Sequence, residues 1–91
     1  MSVTVRIPTT LRPLASGASE VVVTAGTVQE VIAALDAVHP GFQNRLIDES
    51  GKLHHYVNVF VDDEDARFTE GLATAVLDGQ VMAIVPAVAG G

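Results

Sequence analysis

Val3, Val5 and Ile7 alternate with Thr4, Arg6 and Pro8. That period of two predicts a half-buried strand, and Pro8 marks a strand end or an edge. Ser16-Gly17-Ala18-Ser19 supplies turn residues, and the β-branched run Val21-Val22-Val23-Thr24 predicts a second strand that forms a hairpin with the first. Past Ala25-Gly26, Thr27 and Glu30 are spaced for a capping box, in which hydroxyl and carboxylate each satisfy an orphan amide at a helix start. Val28, Val31, Ile32 and Leu35 follow at i, i+3, i+4 and i+7, so one helix face is apolar and must cover a sheet. Pro40-Gly41 stops that helix beyond His39.

From Phe42 to Leu53 the pattern weakens to isolated anchors at Phe42, Leu46 and Ile47, with Glu49-Ser50-Gly51-Lys52 as an exposed turn. An irregular connection with one short helical turn is expected there. Val57, Val59 and Val61 alternate with Tyr56, Asn58 and Phe60, which predicts a central strand with one set toward the helix and the other away from it. Asp62-Asp63-Glu64-Asp65 breaks the sheet, a short strand is expected around Ala66-Arg67-Phe68, and Asp78-Gly79 signals a turn before a last strand at Val81 to Val85. The order is hairpin, helix, connection, then further strands: an α+β chain whose mixed sheet of four to five strands wraps one main helix. That is the β-grasp, or ubiquitin-like, order. It divides into a β-grasp domain at 1–86 and a flexible C-terminal tail at 87–91 that ends in Gly-Gly.

Length agrees with a single core, since 91 residues suffice for one sheet and one or two helices. The five cations Arg6, Arg12, Arg45, Lys52 and Arg67 are scattered against 11 acids, and the net charge of −6 repels a phosphate backbone. Nucleic acid is therefore not expected as a partner. There is no continuous apolar signal region, and the longest apolar stretch, Val81 to Ala89, is interrupted by Pro86 and far shorter than a membrane span. A cytoplasmic protein without membrane attachment, monomeric on its own, is expected. The absence of cysteine removes disulfides, thiolate catalysis and cysteine-based metal sites.

Candidate chemistry in the body of the chain is sparse. The acid run from Asp62 has Arg67 where a calcium loop needs glycine, so a solvated turn explains it. His54 and His55 are adjacent and point to opposite faces of a strand start, and His39 has no evident carboxylate partner, so no metal site is expected. Ser16 and Ser19 lie outside any nucleophile elbow, and no phosphate-binding glycine loop is present. Tyr56, Asn58 and Phe60, extended by Phe68 and Pro86, form a candidate partner surface, although cover by a loop explains such a stripe equally well.

The final residues Pro86-Ala87-Val88-Ala89-Gly90-Gly91 carry the strongest signal. Glycine has no Cβ, so a Gly90-Gly91 end threads a narrow channel with its carboxylate unhindered, led by Val88 and Ala89. The β-grasp order, Asp78-Gly79 and this ending resemble the ubiquitin-like sulfur-carrier family (ThiS/MoaD-like). Gly51-Lys52-Leu53, Tyr56 to Val61, Glu64-Asp65, Arg67-Phe68 and Gly71-Leu72 most resemble its CysO type, the carrier of a thiocarboxylate-dependent cysteine biosynthesis route. Two departures stand out: Gln80 follows Asp78-Gly79 where the family often has aspartate, and Ala87 replaces a second proline common in the molybdopterin branch.

The resemblance implies a sulfur donor that is not itself an enzyme. An ATP-dependent, E1-like activating and sulfurylating enzyme would adenylate the Gly91 carboxylate, giving it a leaving group, and sulfide or a persulfide would replace AMP to leave a nucleophilic thiocarboxylate. A pyridoxal phosphate (PLP)-dependent cysteine synthase would take the sulfur, and a metallopeptidase would release cysteine. ATP and PLP belong to these partners, and the carrier itself is expected to bind no cofactor. The lack of a thiol that would capture the activated end fits this reading. Three alternatives stay open: the small subunit of molybdopterin synthase, a ubiquitin-like covalent modifier, and a binding module with an inert tail.

Overall fold

The alternating N-terminal segment folds as strand β1, Ser2–Arg6, with Val3 and Val5 buried beneath it. A computed structural model of the chain describes residues 1–86. Strand β2, Glu20–Thr24, returns antiparallel to β1 with Val5 opposite Val21 and Val3 opposite Val23. These two strands are joined by more than a turn. A 3-10 helix at Thr9–Ala15, with Pro13 inside it, packs Ala15 into the core. Its two leucines, Leu11 and Leu14, are half-buried against that core. Pro8 shows where the strand must stop; the compact helical turn after it buries Ala15.

A two-residue strand β3, Gly26–Thr27, leads into helix α1, Val28–Val38. The capping box forms as expected: the Glu30 amide donates to Thr27 Oγ1 at 3.2 Å, and the Thr27 amide donates to Glu30 Oε1 at 2.9 Å. Val28, Val31, Ile32 and Leu35 are fully buried. Each such side chain contributes about 1.5–3 kcal/mol by leaving water, more than propensity gives a helix of this length. One turn from its end, Asp36 accepts from the amides of Gly41 and Gln43 at 2.9 and 3.1 Å, and so ties α1 to the start of helix α2, Phe42–Leu46. Helix α2 is the expected short turn, held down by the buried Phe42 and Leu46.

Strand β4, Val57–Val61, buries its three valines. Asp62 and Asp63 then form a two-residue connection to strand β5, Glu64–Asp65, with Phe60 opposite Asp65 and Val61 opposite Glu64. The strand expected at Ala66-Arg67-Phe68 is instead a 3-10 turn. The tight return at 62–63 uses up the pairing two residues earlier, Asp65 caps the Arg67 amide at 2.9 Å, and Ala66 drops into the core. A second 3-10 turn at Gly71–Ala73 and strand β6, Ala75–Val76, follow, with β6 pairing β3 in a separate two-stranded sheet. Strand β7, Val81–Pro86, completes the main sheet in the order β2-β1-β7-β4-β5. It runs parallel to β1 and antiparallel to β4, which makes the sheet mixed. The β-grasp expectation agrees with this architecture, with five strands in the main sheet.

Aspartates secure the turns. Asp78 accepts from the Ser2 amide at 2.9 Å and pins the N-terminus beside the Asp78-Gly79 turn. Asp62, at a positive φ of 54°, accepts from the Val81 amide at 3.1 Å and from the Gln80 side-chain amide at 3.0 Å. Gln80 Oε1 in turn accepts from the Leu77 amide at 2.8 Å. Gln80 therefore bridges two turns with both ends of its amide, a task an aspartate at this position cannot perform because it has no donor. Asp48 gathers the Ser50 amide, the Ser50 hydroxyl and the Lys52 amide on one oxygen at 2.9, 2.6 and 3.1 Å. These bonds, the Ser50 hydroxyl first and the Lys52 amide next, hold the Asp48 carboxyl below its usual range.

Two outcomes follow for the fold. Asp62→Ala, which loses the turn bonds that offset the positive φ of this residue, lowers unfolding free energy by about 1–3 kcal/mol in urea titration. Asp62→Gly, free of the φ strain, loses less. Because the folded Asp48 carboxyl is depressed, its stabilisation of the 48–52 turn is complete above the unfolded pKa of about 3.9 and disappears as pH falls through the lower folded value. Carbon-detected titration of Asp48 should show the depressed midpoint, and Ser50→Ala should move that midpoint upward.

Candidate functional site

Pairing fixes where the described residues end. Val57, the first residue of β4, lies opposite Pro86, the last of β7, so both strands meet at one end of the sheet. The 3-10 helix at Thr9–Ala15 contributes Thr10 and Leu11 beside them, and α2 contributes Arg45. Together with Tyr56, Val57 and Pro86 these residues enclose a cleft of about 210 Å³. Tyr56 is stacked on His54 at a ring separation of 4.7 Å and meets His55 edge-on at 5.5 Å. This aromatic group holds Tyr56 at the rim while leaving it nearly half exposed.

The surface expected at Tyr56, Asn58, Phe60, Phe68 and Pro86 is brought together only in part. Tyr56 and Pro86 share the cleft. Asn58 and Phe60 stand on the sheet face away from α1, opposite Val85 and Ala83 of β7. Phe68 belongs to the 3-10 turn after β5, does not line that cleft, and is 83% exposed. Gly91, Gly90, Ala89 and Val88 lie outside the described residues.

The same sheet face holds groups the strand alternation did not single out. Val81, Ala83 and Val85 of β7 share this face with Phe60, and Val22 of β2 is separated from them by Thr4 of β1; Val22 and Val85 are 65% and 42% exposed. The signal was present in Val81-Met82-Ala83-Ile84-Val85, a run with no polar alternation, whose outer set has to face water or a partner. Arg45, Thr10 and Leu11 gave no comparable signal, because only tertiary packing carries them to the end of β7. Arg6 and Glu20 pair at 3.5 Å on the exposed face, a contact of little energetic weight.

Among the described residues no group of three or more His, Asp or Glu side chains is arranged to hold a metal ion, and no polar or charged side chain is buried. No helix among them is long and apolar enough to cross a membrane.

Known proteins give this geometry its context. The ThiS family matches residues 5–91. The chain is 52% identical to the sulfur carrier protein CysO of Mycobacterium tuberculosis, covering all of both chains. It is 38% identical over 65 residues to small archaeal modifier protein 3 of Haloferax volcanii, about 71% of this chain and 70% of that one. Among solved structures, the BexX/CysO complex of Amycolatopsis orientalis contains a chain that superposes with a TM-score of 0.92 at 47% identity, covering 98% of this chain and 99% of that one. Family and fold thus agree with the resemblance read from the residues, and the chain belongs to the ThiS family as a ubiquitin-like sulfur carrier rather than a catalyst.

Proposed function

We propose that the sulfur is carried at the C-terminus, as a thiocarboxylate of Gly91, and is delivered for cysteine synthesis. The observation that carries this reading is the end-to-end match to CysO sulfur carriers, which includes the Gly90-Gly91 pair in a chain with no cysteine to hold sulfur elsewhere. A carboxylate resists attack until one oxygen becomes a leaving group. An ATP-dependent activating enzyme supplies that step by forming the Gly91 acyl adenylate; sulfide displaces AMP directly, or a persulfide displaces it to give an acyl disulfide that a second thiol cleaves by exchange, leaving the thiocarboxylate and a disulfide of the donor. The product is a sulfur nucleophile at the end of a chain narrow enough to enter a second enzyme, a PLP-dependent cysteine synthase, with a metallopeptidase freeing the cysteine afterwards. ATP and PLP act in these partners. Val88, Ala89 and Gly90 supply the slender approach, since none has a side chain larger than valine.

The cleft at Tyr56 and Pro86 serves as the surface on which the activating enzyme seats the domain. It borders the last described residue, so contact there aims residues 87–91. The formation of a complex by the similar Amycolatopsis orientalis CysO with BexX supports a carrier that works in the grip of a partner. A second reading, covalent modification of target lysines through Gly91, draws support from the similarity to small archaeal modifier protein 3.

Intact mass spectrometry of protein from its native host, before and after a thiol-alkylating reagent, separates the two. The carrier reading expects an alkyl adduct mapped to Gly91, which a cysteine-free chain acquires only through added sulfur; Gly91 found in isopeptide linkage to other proteins supports the modifier. Deleting Gly91 should abolish sulfur loading and leave the unfolding transition unchanged, and retained loading overturns the assignment. Tyr56→Ala should raise the KM of the activating enzyme for the carrier about tenfold with kcat preserved, as expected when an aromatic anchor is truncated. A fall in kcat at constant KM would remove Tyr56 from the docking surface.

A further inference from the structure

A larger concavity lies apart from the end of β7. It has a volume of about 530 Å³ and is bounded by Gln29 on the first turn of α1, by Lys52 and Leu53 after the Asp48 turn, and by Arg67, Glu70 and Leu72 around the two 3-10 turns. None of these residues lines the Tyr56–Pro86 cleft. Its floor is apolar, with Leu53 and Leu72 half-buried against the core. Its rim is charged and exposed.

The charge of that rim departs from the rest of the chain. The molecule has five Lys and Arg against 11 Asp and Glu, yet this concavity gathers Lys52 and Arg67 with Glu70 alone against them. Arg67 is also pre-positioned. One guanidinium nitrogen donates to the Val57 carbonyl at 3.0 Å on the stretch of β4 that β5 does not cover, and the Arg67 amide is held by Asp65. Such an arginine loses little further freedom on meeting an anion, and its other N–H groups are left to donate. Lys52 is fixed at its backbone in the same way, by the Asp48 carboxylate and by its own carbonyl accepting from the Asp48 amide at 2.7 Å. Gly51 and Gly71, at φ of 86° and 59°, shape the two walls without side chains.

We infer that this concavity is a second docking site, and that its occupant is an acidic segment of a partner protein in which an apolar side chain lies between carboxylates. The apolar residue fills the floor between Leu53 and Leu72, and the carboxylates meet Lys52 and Arg67. A partner segment of that charge is repelled by most of this surface and attracted here, which makes the site directional. The inference rests on the carrier reading for its purpose: a chain whose tail enters one enzyme after another gains from a hold that does not use the tail or the face beside it. The two ideas fail separately, because binding at 51–53 and 70–73 is read without any sulfur chemistry.

The test uses the full chain labelled with nitrogen-15 and three probes: a blocked hexapeptide Glu-Asp-Leu-Asp-Leu-Glu, the same peptide with lysine in place of each acid, and free glutamate. The acidic peptide should produce saturable amide shifts at Gln29, Leu53, Glu70 and Leu72, and the lysine peptide none. Lys52→Gln should weaken binding about threefold and Lys52→Glu about tenfold, the range of an exposed charge contact and its reversal, with all other amide positions unmoved to show an intact fold. Shifts centred on Phe60 and Val85, equal binding of the lysine peptide, or no shift with the acidic peptide overturns the inference. So does glutamate alone giving the full pattern, since that would make the concavity a small-anion pocket.

Discussion

The arrangement depends on one strand, β7, lying between β1 and β4. It is bonded on both sides, parallel to the N-terminal strand and antiparallel to β4, and sends Met82 and Ile84 into the core beneath α1. Without it the β1–β2 hairpin and the β4–β5 hairpin share no hydrogen bonds, and the apolar stripe of α1 has half a sheet to cover. The same strand ends at Pro86 beside Val57, so the element that completes the core also forms one wall of the cleft at that end of the sheet. Stability and the shape of that cleft rest on one set of pairings.

Carboxylates do much of the joining work. Glu30, Asp36, Asp48, Asp62, Asp65 and Asp78 each accept from backbone amides at a helix start or a turn. Six of the 11 acids are thus committed to local structure, which gives the low pI a cause other than a cationic partner. Irregular connections between short strands expose many amides, and ionised carboxylates are strong acceptors for them.

The parts legible in the sequence were those specified by neighbours along the chain. The Thr27–Glu30 capping box, the i, i+3, i+4, i+7 stripe of α1, the Val57-Val59-Val61 alternation and the Asp78-Gly79 turn are local signals, and each formed where the residues placed it. What escaped was specified at a distance. Ala66-Arg67-Phe68 has strand-like composition, but pairing with β4 stops at Asp65, whose carboxylate caps the Arg67 amide while Ala66 turns into the core. Thr9–Ala15 winds into a 3-10 helix because Ala15 finds a place in the core, which no spacing rule in that segment announces. The site divides the same way: Tyr56 and Pro86 stood out by type, whereas Arg45 and Leu11 reach the same cleft only through the fold.

The central place of β7 also sets a rule of timing. Thr4 pairs with Val81, and Ser2 with Asp78, across nearly the whole chain, so the contacts that close the sheet are among the longest in sequence the molecule contains, and such contacts form late and at entropic cost. A chain emerging from the ribosome holds its helix and both hairpin partners without the strand that unites them. It becomes a folded domain only when residues 81–86 are free to insert. A chain cut before β7 therefore lacks both the finished sheet and the cleft at its end, so the core and that surface are gained or lost together.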